Sequence, residues 1–95
     1  MTVKILIKRR IPREHNENLH PLLIQLRKMA TSQPGYISGE TLKNMEDPEE
    51  YLVISTWQTA EDWKAWYQSR EREQIQEKID ALLEQPTEYT IYTVG

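Results

Sequence analysis

The side chains in this chain best suited to chemistry are aromatics, not nucleophiles. Trp63, Trp66 and Tyr67 stand at i, i+3 and i+4, the spacing that puts three side chains on one face of a helix. Such a stripe is first of all a buried helix face, and Trp57, at the end of a strand, is first of all a core residue under a helix. Neither reading conflicts with a pocket wall, because ligand pockets are lined mainly by apolar and aromatic groups. Tyr89 and Tyr92 fall on opposite faces of the last strand, so one packs inward and the other meets a second copy. His15 and His20 belong to the residue type that most readily moves protons near neutrality. At this separation they do not share a helical face as an i, i+4 metal pair would. Helix-start and surface positions account for both, with a place for His20 at a pocket mouth as the other option.

The remaining motifs point away from several classes. Glu14-His15-Asn16-Glu17 invites a metal reading, but no further ligands are spaced to complete it. Glu46-Asp47-Pro48-Glu49-Glu50 lacks the alternating oxygen ligands and central glycine of a calcium loop and reads as a solvated turn. No metal site is expected. The absence of cysteine excludes disulfides, thiolate metal sites and cysteine nucleophiles. There is no Gly-rich phosphate loop, no Gly-x-Ser-x-Gly and no HExxH.

With 95 residues, the chain is expected to form a single domain, 1–95. Lys and Arg number 12 against 15 Asp and Glu, a net charge of −3. That balance argues against nucleic acid as a partner, since phosphate binding needs an excess of basic residues on one face. The one basic cluster, Lys8-Arg9-Arg10 with Arg13, is short and reads as a solvated strand end. The N-terminal run Met1–Lys8 is too short and too interrupted by lysine for a signal peptide, and no segment approaches a membrane span. A soluble, cytoplasmic protein with no membrane partner is expected.

The elements that must position these residues follow from periodicity. Val3, Ile5 and Ile7 alternate with Lys4, Leu6 and Lys8, which predicts a strand closed by Pro12. Leu19, Leu22, Leu23, Leu26, Met29 and Ala30 predict a helix over about 16–32, with Asn16 or Asn18 as cap and Pro21 tolerable only in the first turn. Pro34-Gly35 breaks the chain. A strand over 36–43 follows, whose Gly39 marks a bulge or close packing. The strand over 51–58 is apolar on both faces and therefore central or covered twice. Thr59 with Asp62 opens a second helix in the manner of a capping box. A third helix starts near Ser69, buries Ile75, Ile79, Leu82 and Leu83, and stops at Pro86; the last strand is 88–94.

The order β-α-β-β-α(α)-β predicts an α+β protein of the ferredoxin-like, split βαβ type, a four-stranded antiparallel sheet with helices on one face. Leu6, Leu52, Ile54, Tyr92 and Val94 oppose the set Val3, Ile5, Val53 and Ile91. Helices cover only one of these sets, so the other calls for a partner, and a homodimer is expected.

Gln33-Pro34-Gly35-Tyr36, the turn with Asp47-Pro48, and Tyr51-Leu52-Val53-Ile54-Ser55-Thr56-Trp57-Gln58-Thr59 with Asp62 and Ala65-Trp66 together resemble the antibiotic biosynthesis monooxygenase (ABM) family. The resemblance covers nearly the whole chain. It implies a dimeric α/β barrel in which two sheets pack face to face. It also implies oxygenation of a small aromatic or quinol-type substrate by molecular oxygen without a cofactor, the deprotonated substrate itself passing an electron to oxygen. Such chemistry needs a dry pocket, a proton acceptor and donors that hold a phenolate. On the resemblance, Trp57, Trp63, Trp66, Tyr67, Tyr51 and Ser55 supply the substrate-binding walls and polar handles, Trp66 foremost; none is an obvious base, and the catalytic residue stays unassigned. The chain departs from the family at two places. Anthrone-oxidising members carry an asparagine where this chain has Val53, and haem-degrading members carry a haem-ligating histidine where it has Gln76. Haem degradation by that route is not expected. Two functions are carried forward: a cofactor-independent monooxygenase, and a non-catalytic homodimer of the same fold that binds a small molecule.

Overall fold

The computed structural model describes residues 1–94. Eight residues, Val3–Arg10, form β1, with alternate side chains buried. A 3-10 turn, Arg13–His15, leads into α1, Asn16–Thr31, whose Leu19 and Leu26 are buried. Then come β2, Tyr36–Lys43, and β3, Glu50–Trp57. Two helices follow, α2 over Ala60–Tyr67 and α3 over Arg70–Asp80, before β4, Glu88–Thr93. The turns between elements are chemically specified. Gly35 takes φ +84°, a conformation glycine adopts without steric cost, and its carbonyl accepts from Gln58 N at 2.7 Å. Thr59 Oγ1 accepts from Asp62 N at 3.1 Å and Ser69 Oγ from Arg72 N at 3.3 Å, so both short helices are capped.

All pairings in the sheet are antiparallel, in the order β2-β3-β1-β4. The apolar strand β3 is interior, as its two-faced pattern predicts. Register places Val3 opposite Trp57, Ile5 opposite Ser55, Ile7 opposite Val53 and Arg9 opposite Tyr51. That set lies under the helices, and its Val3, Ile5 and Trp57 join Leu19, Leu26, Trp66, Ile75 and Ile79 in one core. The other face pairs Leu6 with Ile54 and Leu42 with Leu52, and carries Tyr92, which is 53% exposed. The helices leave this face uncovered. The fold is thus the ferredoxin-like α+β arrangement expected from the order of elements.

Several local expectations need correction. Neither Asn16 nor Asn18 caps α1: His15 occupies the cap position without a side-chain bond, and the preceding 3-10 turn supplies the entry through His15 N to Pro12 O, 3.0 Å. Pro21 is the sixth residue of α1, beyond the first turn. It and Glu17, whose carbonyl loses its donor there, are both exposed, so water can serve the freed group. Ile91 is 42% exposed although it lies on the helix side, because β4 is an edge strand. The basic cluster divides by strand alternation. Lys8 and Arg10 face outward and pair with acids, whereas Arg9 is only 6% exposed.

Candidate functional site

A cavity of about 470 Å³ lies between α1 and the sheet. It exists because the facing positions carry small or short side chains, among them Ala30 on α1, Gly39 and Thr41 on β2, and Val53 and Ser55 on β3. Ile37 is the extra residue of a bulge between Tyr36 and Ser38. Tyr36 there folds its hydroxyl over Gly39, to a place where a Cβ on residue 39 would come within 2.5 Å of it. The Tyr36 ring meets Trp57 edge-on, centroids 5.4 Å apart at 88°. Arg27 Nη2 donates to Gly39 O at 2.9 Å and ties α1 to the cavity's β2 edge. Trp57 Nε1 donates to Ser55 Oγ at 2.5 Å, which leaves the serine's own O–H as a donor. Asn16 and His20 on α1 also line the cavity, beside the apolar Ile7, Ile11, Leu23, Ile24 and Leu26.

Arg9 lines the same cavity from the end of β1. Its guanidinium reaches Gln76 Oε1 at 3.5 Å, while its Nε is buried without a partner among the described residues. Burial lowers the Arg9 pKa; Tyr89 opposes this, Arg72 adds to it, and the Asp80 charge opposes it. Gln76 in turn donates to Asp80 at 2.8 Å. Arg72, also 6% exposed, donates to Tyr67 O at 3.1 Å and to the Tyr89 hydroxyl, and its guanidinium stacks 4.3 Å from the Tyr67 ring. Burial pushes the Tyr89 phenol up, against the pull of the two arginines.

The six residues expected as walls and handles therefore divide into groups. Tyr51 and Ser55 line the cavity under α1. Trp57, 1% exposed, and Trp66 are core; Trp57 reaches the cavity through its bond to Ser55 and its contact with Tyr36. Trp63 and Tyr67 stack with Tyr89 at 6.3 and 5.1 Å, away from that cavity. Tyr67 borders a second cavity of about 550 Å³ beside α3, which Glu73, Glu77, Asp80 and Glu84 line together with Arg72. Sequence reasoning did not single out Tyr36, Arg9, Asn16 or Arg27 as site residues. For Tyr36 the signal was present, in the Pro-Gly-Tyr turn followed closely by Gly39; for Arg9 it was the odd-numbered register shared with Val3, Ile5 and Ile7. His20 does line the cavity. Among the described residues, no group of three or more His, Cys, Asp or Glu is placed to hold a metal ion, and no helix is long and apolar enough to cross a membrane.

Solved structures share this fold at low sequence identity. A conserved protein from Methanosarcina mazei superposes with a TM-score of 0.89 at 18% identity, over 97% of this chain and 91% of that one. SnoaB, a cofactor-independent oxygenase from Streptomyces nogalater, gives 0.87 at 13% identity, over 99% and 93%. Rv0793 from Mycobacterium tuberculosis gives 0.86 at 13% identity, over 99% and 95%. Curated protein sequences give no match. The sequence model of the antibiotic biosynthesis monooxygenase family, by contrast, matches residues 2–78. The chain belongs to the antibiotic biosynthesis monooxygenase family.

Proposed function

We propose that this protein is a cofactor-independent monooxygenase for a small aromatic or quinol-type substrate, and that it works as a cytoplasmic homodimer. The observation that carries the reading is the cavity under α1, about 470 Å³ and mostly apolar, with a few polar groups converging on it. An aromatic ring of one to three fused cycles suits such a space. His20 is the cavity's histidine and its candidate proton acceptor; Tyr36 and Ser55 offer hydroxyl donors, and Tyr51 an aromatic wall. In this reaction the substrate loses a proton, and the resulting phenolate passes electrons to oxygen. A carbon–oxygen bond forms, and the oxygen–oxygen bond then breaks with loss of water. The substrate carbon becomes a carbonyl, so the substrate is its own reductant. An apolar enclosure favours this sequence by keeping water from the anion. Trp57, Trp63, Trp66 and Tyr67 contribute from outside the cavity wall in this reading, Trp57 by holding Ser55 and Tyr36. The uncovered apolar sheet face, with Leu6, Leu52, Ile54 and Tyr92, supports the homodimer.

Val53 favours a second reading. It lines the cavity at the position where anthrone-oxidising relatives carry asparagine, and it offers a substrate no hydrogen bond. A dimer that binds a small apolar ligand without turning it over would have such a wall.

Oxygen uptake on metal-stripped protein with a panel of reduced quinols and anthrone-like phenols separates the two. Wild type is expected to exceed spontaneous oxidation. His20→Gln should fall below wild type with its melting temperature unchanged, since His20 is exposed at the cavity. Replacing the core residue Trp66 by alanine should instead lower turnover and melting temperature together. Binding of the same compounds with no uptake above background would refute the enzyme and leave the binding dimer.

A further inference from the structure

We propose that Arg9 is the specificity-determining residue of the cavity under α1, and that the ligand it selects is an aromatic molecule bearing an anionic oxygen, a carboxylate or a phenolate. The inference rests on assigning that cavity to the substrate. Its starting point is an imbalance of charge. Lys8 and Arg10, the neighbours of Arg9 in β1, pair with Glu50, Asp47 and Glu49 on the outer face. Arg9 itself is 6% exposed and has no carboxylate within ion-pair distance among the described residues. Gln76 of α3, which it touches, is neutral; Arg72 of α3 is like-charged; Tyr89 of β4 holds its proton more firmly because it is buried. Asp80, which accepts from Gln76, acts on Arg9 through its charge but forms no ion pair with it. A guanidinium stays charged at any physiological pH. Buried with no carboxylate in contact and with Nε unpartnered, it costs the fold desolvation that Asp80 offsets only from a distance. An apolar side chain of similar length would serve folding as well or better.

The cavity beside it has the complementary deficit. Its charged and titratable lining groups besides Arg9 are Arg27 and His20 of α1, Tyr36 and Glu40 of β2 and Tyr51 of β3, and Glu40 is exposed. Its remaining walls are largely apolar, so a ring fits there and a cation alone would not. An anionic oxygen on that ring would meet a positive potential across a low-dielectric wall, with no buried protein carboxylate competing. Arg9 lines this cavity and keeps an unpartnered Nε donor that such an oxygen would satisfy. The second cavity suits an anion less well, because Glu73, Glu77, Asp80 and Glu84 line it together with its arginine, Arg72.

The test is calorimetric titration with 1-naphthoate and with 1-naphthamide, which has nearly the same shape and no charge. Wild type is expected to bind the carboxylate at least about tenfold more tightly, the scale of one charge-assisted hydrogen bond. Arg9→Met should bring 1-naphthoate down to the level of the amide, leave the amide within about twofold, and leave the melting temperature unchanged or raised. Arg9→Gln, which keeps a polar group for Gln76, serves if the methionine variant does not fold. A parallel titration with 4-nitrophenol, whose absorbance reports its own ionisation, tells the two sources apart. A lowered apparent pKa on wild type but not on the variants shows that phenolate is read. No such change beside a clear 1-naphthoate preference shows that carboxylate is read. Equal affinity for the carboxylate and the amide in wild type, or an unchanged preference in the Arg9 variants, would overturn the proposal while leaving the cavity as a binding site. Failure of every probe to bind wild type would overturn both.

Discussion

Replacing Gly39 by alanine probes the packing that shapes the cavity. The backbone at Gly39 is ordinary strand, so alanine brings no φ strain, and in a strand it should gain about 0.5–1 kcal/mol over glycine. Against this, the new methyl would stand 2.5 Å from Tyr36 Oη, where ordinary contact begins at 3.4 Å. The hydroxyl must retreat by about 0.9 Å, and the ring it belongs to is held edge-on against Trp57. Overpacking of this kind costs about 1–3 kcal/mol. In a Tyr36→Phe background the clashing oxygen is gone and the next atom, the ring carbon Cζ, is at a comfortable 3.6 Å, so only the propensity gain remains. Gly39→Ala should therefore be neutral to destabilising in wild type and stabilising in the Tyr36→Phe protein, with a coupling of about 1–3 kcal/mol. Denaturant unfolding of the four proteins at one fixed protein concentration measures it, the fixed concentration keeping any contribution from dimerisation common to all four. A coupling below about 0.5 kcal/mol, the range of ordinary additivity, would refute the placement of Tyr36 over Gly39.

Other consequences follow from the caps, the turn and the open sheet face. Thr59→Ala and Ser69→Ala should each lower stability by about 1 kcal/mol in the same unfolding assay, because each hydroxyl serves an N–H of a helix's first turn, where the helix itself supplies no acceptor. Arg10 holds the Asp47 carboxyl below the usual carboxylate range, first by its hydrogen bonds at 2.6 and 3.3 Å. The carboxylate's contribution is thus present above the ordinary carboxylate range near ~4 and lost as pH falls through the lowered value. Acid titration of Arg10→Ala should accordingly show a shallower loss of stability than wild type. Ile54→Lys places a charge opposite Leu6 on the uncovered face. Sedimentation should find wild type dimeric and the variant monomeric at equal concentration, and a monomeric wild type would refute the dimer.

Much of the architecture was legible in residue order alone. Alternation at Val3, Ile5 and Ile7, the caps Thr59 and Ser69, and the break at Pro34-Gly35 each act over a few residues, and each appears in the fold where local chemistry puts it. The two-faced apolar pattern of β3 also announced an interior strand and an uncovered sheet face, because a sheet with helices on one side has no other way to bury both sets. Those features depend on period, capping and turn geometry, which a linear sequence carries. The site depended on something else. The helical stripe Trp63, Trp66 and Tyr67 reads as one face, yet Trp66 enters the core while Trp63 and Tyr67 stack with Tyr89, because a short helix over a twisted sheet presents successive residues to different neighbours. The cavity arises where Ala30 on one helix meets Gly39, Val53 and Ser55 on two strands, a coincidence of small side chains far apart in sequence. Arg9 belongs to a basic run that looks solvated. Strand alternation turns it inward with Val3 and Ile5, and only the packing of the helices over that face decides that it is buried with no carboxylate in contact. Local chemistry thus determined the elements, whereas long-range packing decided which side chains share a space, since volume and uncompensated charge exist only between elements that have already met.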